Sequence, residues 1–143
     1  EYIRRHGDMA EELIINNASG YDMEMLAVIR DNCYTVAEGI PENFLQAIQL
    51  LWFMMGFGDY DSFGRFDQYL YPFYLKSAKE EGMTEEKALE YLKHLWNKIE
   101  QNGSIINMTI GGVLPDGTDD LFGIKDYKRI EVQRTQPMFK DKK

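Results

Sequence analysis

The sequence predicts an α/β chain that is mainly helical, with one or two strands near its C-terminal end. Three observations lead there. Apolar residues recur every three or four positions through most of residues 3–101. A β-branched run, "SIINMTIGGVL", begins just after Asn102. The 143 residues are 44% hydrophobic, enough to bury a core within a single segment, 1–143, whose strand-containing part covers about 104–138.

The first helix is expected from Ile3 to Asn16, with Ile3, Met9, Leu13 and Ile14 facing inward, and the polar "NNASGYD" ends it in a turn near Gly20. Asp22 is placed to cap a second helix. Its apolar face is Met25, Leu26, Ile29, Cys33 and Val36, and Gly39 stops it. Pro41 is read as opening a third helix over 42–55, in which Phe44, Leu45, Ile48, Leu51, Trp52 and Met55 form a stripe that is buried almost all round by its end.

"GFGDYDSFG" puts three glycines in nine residues and reads as an ordinary loop. It lacks the lysine of a phosphate cradle. A fourth helix is expected from Arg65 to Lys79, with Tyr69, Tyr71, Phe73 and Tyr74 as core. The fifth covers 85–101, with Ala88, Tyr91, Leu92, Leu95 and Ile99 inward. Thr84 is its N-cap, in a capping box left half complete by Lys87. "NMTIGG" then reads as a strand that stops at Gly111 and Gly112, where backbone comes close to something else. "PDGTDD" is a turn and "RIEVQRTQPM" a second strand.

Composition excludes several functions. Asp and Glu number 24 against 16 Lys and Arg, a net charge of −8, which argues against nucleic acid as a partner. No apolar run spans a membrane, and a single cysteine, Cys33, points to a reducing, cytoplasmic setting. On an apolar helical face Cys33 is read as inert packing. His6 and His94 lack the spacing of metal ligands. A small hydrolase using Glu90 and His94 is a remote third reading.

Arg65 and Asp67 stand two apart, so on a helix they do not face each other and each needs its own partner. Either both are buried and tie the preceding loop to another part of a larger structure, or they sit at an exposed helix N-terminus with Asp67 near its positive end. On the first reading Arg65→Ala costs roughly 3–5 kcal/mol.

The stretch "GRFDQYLYPFY" resembles the glycyl radical enzymes, closer to their glycerol/diol dehydratase and choline lyase branch than to pyruvate formate-lyase itself. In the family's order follow "MTEEKALEYLKHLWNKI", "NMTIGG" with "DGTD", and "QRTQP", while "PENFLQAIQLLWF" precedes it. The resemblance covers nearly all of residues 40–137. Gly64, Arg65, Asp67, Gln68, Gly111 and Gly112 belong to its shared motifs.

This resemblance implies an α/β barrel of two five-stranded halves ringed by helices, enclosing a radical glycine and a cysteine on loops. The glycine radical takes hydrogen from the cysteine, whose thiyl radical takes hydrogen from a small polar substrate in a closed cavity. A separate S-adenosylmethionine iron-sulfur enzyme installs the radical, so this chain is expected to bind no cofactor itself. The family's cysteine lies downstream of its Gln-Pro strand, about where this sequence stops, and Cys33 is misplaced for that role. The Gly20-Tyr21 pair in "ASGYD" lacks the Arg-Val of the radical loop and reads as a turn. The chain is therefore expected to be inactive alone and to work with the rest of the barrel or a complementary chain, possible homo-oligomers included. It is also shorter than the family on both sides of "NMTIGG" with "DGTD". Asp59 and Tyr60 match the positions where the dehydratase branch has a substrate-binding His-Ser pair, a weak carry-over because both differ. The alternative is a non-catalytic helical interaction or scaffold module that keeps the family's packing.

Overall fold

Asp22 begins the second helix as its side chain dictates: Oδ1 accepts hydrogen bonds from the Glu24 and Met25 amides at 3.0 and 3.1 Å. In the computed structural model, which describes residues 1–56, 62–103 and 106–111, the elements are α1 (Tyr2–Ile15), α2 (Met23–Glu38), α3 (Phe44–Met55), β1 (Ser62–Arg65), α4 (Phe66–Glu80), α5 (Glu85–Asn102) and β2 (Asn107–Thr109). The chain divides into two compact units, Glu1–Gly58 and Asp59–Lys143. No helix among the described residues is long and apolar enough to cross a membrane.

In the first unit, α1 and α2 form an antiparallel hairpin turned by Asn17 and Gly20, both at positive φ. Its antiparallel sense shows in the cross-links: Arg4 to Glu38, Tyr34 to Asp8 and Arg30 to Glu11. The inward face of α1 is built on small residues, Gly7 and Ala10, with Ile3 packed against the cluster of Cys33, Val36 and Phe53. Met9, expected inward, is 59% exposed. Hydrophobic spacing alone misplaced this face, because close helix approach is set here by where side chains are absent.

That approach makes Gly7 sensitive. A Cβ there would lie 2.7 and 2.9 Å from the Tyr34 ring and 3.2 Å from the Cys33 Cβ. Alanine gains about 1 kcal/mol of helix propensity, but overpacking costs roughly 1–3 kcal/mol, and the Tyr34 hydroxyl is held by Asp8 at 3.0 Å. Gly7→Ala is therefore expected to destabilise by about 1 kcal/mol in thermal unfolding. A gain would show that Tyr34 swings away freely.

Helix α3 starts at Phe44, and its cap is Asn43, which accepts from the Gln46 amide, so Pro41 lies before the helix and does not open it. Phe44, Ala47, Ile48 and Phe53 are buried while Met54 is exposed, so the end of α3 keeps an open side within this unit. Met25 and Ile29 of α2 are likewise exposed. Polar contacts set the register of α2 on α3: Gln46 donates to Asn32 at 3.2 Å, and Gln49 donates to the Cys33 sulfur at 3.1 Å.

The second unit departs most from expectation. Ser62–Arg65, of which 62–64 were expected as loop and Arg65 as the start of the fourth helix, is a strand paired in parallel with β2, and α4 with α5 forms the crossover between them. Helix α4 begins after Arg65, and its core residues are Phe66, Leu70 and Ser77. Tyr69 is 40% exposed, and Tyr71, Phe73 and Tyr74 are only half-buried, so the aromatic series is not the core it was expected to be. Polar Asp67 takes an inward position that the aromatic count passes over. Helix α5 has Thr84 accepting from the Lys87 amide, the half capping box expected, and Gly103 closes it at φ +70°. Leu89 and Trp96 join its buried face; Tyr91 stays half-buried under the Lys87 ammonium.

Candidate functional site

β2 ends where its backbone is gripped from below. Gly111 has φ +76°, a conformation that favours glycine. Its N–H donates to Asp67 Oδ2 at 2.7 Å, and its carbonyl accepts from Arg65 Nη2 at 3.4 Å. Arg65 and Asp67 do not meet each other, as their spacing required, yet both meet the same residue 44 or more positions away. Of the two sequence readings, the first holds for Asp67, which is buried and tied to a residue distant in sequence, though within this chain, whereas Arg65 is only half-buried. Asp67 is only 3% exposed.

The two bonds are unequal. A short bond to a carboxylate is among the stronger kind, worth roughly 1.5–3 kcal/mol, whereas 3.4 Å lies beyond the usual N–H···O range. Asp67 therefore carries the clasp, and Arg65, half-buried rather than buried, adds a weaker hold. The expected cost of Arg65→Ala shrinks accordingly, to about 1 kcal/mol through this bond.

The geometry that delivers Asp67 starts in β1. Ser62 pairs with Asn107 and Arg65 with Thr109, so β1 spends three residue steps against two on β2. The extra residue is absorbed as a bulge at Phe63–Gly64, with Gly64 at φ +59° and its amide donating to the Ser62 hydroxyl at 3.0 Å. Phe63 and Phe66 are both buried, their rings 5.9 Å apart, and Phe66 meets Trp96 edge-on at 5.6 Å. Packing thus fixes the start of α4, and with it Asp67. Gln68 follows half-buried and is also engaged.

Of the other residues singled out, Asp59, Tyr60 and Gly112 lie outside the described residues, as do "PDGTDD" and the strand expected in "RIEVQRTQPM". Gly20 lies in the turn expected of it. His94 and Glu90 are open to solvent and 3.9 Å apart, with Glu90 also bound by Lys87, so no desolvated acid–base pair forms. The His6 ring packs between Tyr2 and Phe53. Among the described residues no group of three His, Cys, Asp or Glu could hold a metal.

Cys33 is fully buried, and burial pushes its thiol up to about 11, with the Gln49 hydrogen bond offsetting part of the rise. The unfolded thiol ionises near 9, so the native state holds its proton longer. Stability from this group is full below pH 9 and is lost as pH rises towards 11. Thiol labelling at pH 8 is expected to be slow in the native protein and fast in denaturant; equal rates would show an open cysteine.

The clasp joins two backbone segments and contains no nucleophile with an adjacent base. What it can do is hold the end of one parallel strand against the end of the next, a wall-building task of an α/β barrel. The chain belongs to the pyruvate formate lyase-like family of glycyl radical enzymes: the family model matches residues 1–121, from α1 past the clasp. It is 31% identical over 123 residues to an isethionate sulfite-lyase of Oleidesulfovibrio alaskensis, covering 81% of this chain and 15% of that protein. A probable dehydratase of Escherichia coli, YbiW, is 32% identical over 165 residues, covering 96% and 20%. That match is longer than the 143 residues present, so the dehydratase carries residues between matched parts that this chain lacks.

Solved structures agree. A Roseburia inulinivorans structure described for 1,2-propanediol dehydration superposes with a TM-score of 0.74 at 29% identity, over 87% of this chain and 18% of the other. A glycyl radical enzyme from Archaeoglobus fulgidus gives 0.75 at 29% identity, over 94% and 20%. The chain thus spans 15 to 20% of the length of the curated relatives it matches.

Proposed function

We propose that the chain is a barrel-wall segment of a glycyl radical dehydratase or lyase acting on a small polar metabolite. The observation that carries this is the double hold on Gly111, built from family-motif residues inside the matched range. Two of the named relatives carry a small polar compound in their descriptions, isethionate and 1,2-propanediol, which supports the substrate class.

In such an enzyme the chemistry supplied is hydrogen-atom abstraction from substrate carbon by a cysteine thiyl radical, set up by a radical that a separate S-adenosylmethionine iron-sulfur enzyme installs. Cys33 lies upstream of the family motif, whereas the family's cysteine lies downstream of its Gln-Pro strand, so Cys33 is not read as that cysteine. This segment's own contribution is positional, Asp67 and Arg65 fixing where β2 ends; Asp59 and Tyr60, just before β1 in sequence, are proposed as substrate contacts on the family resemblance alone.

The test is to express the full reading frame that contains this chain and activate it anaerobically. A glycyl radical signal in electron paramagnetic resonance is expected, with none from residues 1–143 alone. A full-length product that lacks both a later cysteine loop and a radical-loop glycine would end the enzyme reading. The alternative, an interaction or scaffold module, draws on the exposed apolar row Met25, Val28 and Ile29 along α2. On the proposed reading the rest of the barrel covers that row; self-association of the natural product through it would favour the module.

A further inference from the structure

The Gly111 bond uses only one of the two oxygens of Asp67. The other, Oδ1, is buried and has no hydrogen-bond partner among the described residues. It is not free to turn towards water, because Oδ2 is fixed at 2.7 Å on the Gly111 amide and the residue is 3% exposed. A carboxylate oxygen buried without a donor is costly. Asparagine, the same shape, could grip the Gly111 amide with its one oxygen but would set an NH2 donor where Oδ1 stands, so the carboxylate is what keeps the second position an acceptor.

We infer that Oδ1 of Asp67 takes a neutral N–H or O–H donor from the full-length protein beyond the described residues, so that one carboxylate pins two separate pieces of backbone or side chain. Asp67 is then a positioning residue that sets the distance between the end of β2 and a further element. The donor is neutral because the site already carries positive charge: the first amides of α4 present the positive end of the helix, and the Arg65 guanidinium sits on the same glycine. The inference rests on the reading that this chain is part of a larger enzyme.

A crystal structure of the full-length protein tests it directly. A backbone amide, a hydroxyl or a neutral side-chain N–H within about 3.2 Å of Oδ1 is the expected result. A lysine or arginine, a lone water or an apolar wall at Oδ1 overturns it. Asp67→Asn in the same protein gives an independent measure: its amide group would face the second donor, so its unfolding temperature is expected to fall although its oxygen still holds Gly111. An Asp67→Asn protein as stable as the parent overturns the inference. Failure of the enzyme reading appears elsewhere, as a missing glycyl radical signal in a protein whose Oδ1 is still paired.

Discussion

Asp67→Ala is expected to speed hydrogen exchange of the Gly111 amide by roughly 30- to 150-fold, the equivalent of about 2–3 kcal/mol of lost protection. The amide loses its only described acceptor, a carboxylate oxygen at 2.7 Å, and it sits in a place from which water is largely excluded. A buried donor left without a partner costs its full desolvation, so the loss exceeds the net worth of an ordinary hydrogen bond. Gly111 is the right reporter because exchange there reads the clasp locally, whatever the stability of the remaining protein. Exchange unchanged within threefold would mean that another group holds Gly111 and that Asp67 is a bystander.

The second large effect is expected at Phe66, where substitution by alanine should lower stability by roughly 3–5 kcal/mol. Its side chain is 0% exposed, and its ring meets Phe63, Tyr69 and Trp96 with centroids 5.6 to 6.1 Å away. Truncation removes the transfer energy of the ring and leaves a cavity that a β-bulge on one side and a helix on the other cannot easily close. Chemical denaturation followed by tryptophan fluorescence measures this, since Trp96 lies against the deleted ring. Phe66→Leu, which keeps most of the volume, should cost well under half as much; equal losses would show that Phe66 acts through backbone placement rather than packing.

Local chemistry was readable and distant pairing was not. Asp22, Thr84 and the turn at Gly20 do what their side chains, or lack of them, dictate within a few residues, while Gly39 ends α2 in an extended conformation that needs no glycine. Cys33 was placed correctly because it falls on an apolar repeat. Met9 and the Tyr69–Tyr74 series were misjudged because hydrophobicity says what can be buried, whereas small residues such as Gly7 and Ala10 decide where helices touch. The strand Ser62–Arg65 was hidden for a different reason: four residues with a bulge glycine have no periodicity to read, and their β identity comes only from pairing with Asn107–Thr109. The family motif marked Arg65, Asp67 and Gly111 one by one. That two of them hold the third is a fact of three dimensions.

The parallel pairing of β1 with β2 also orders events in time. Joining Ser62 to Asn107 closes a loop of about 45 residues, an entropic cost of roughly 3 kcal/mol that must be met before the strands return anything. Helices α4 and α5 need only neighbours in sequence, and by folding first they shorten the span the chain must search. On the ribosome Gly111 emerges after both helices are complete. The clasp is thus a latch that shuts last, when the crossover that carries its two halves has already taken shape.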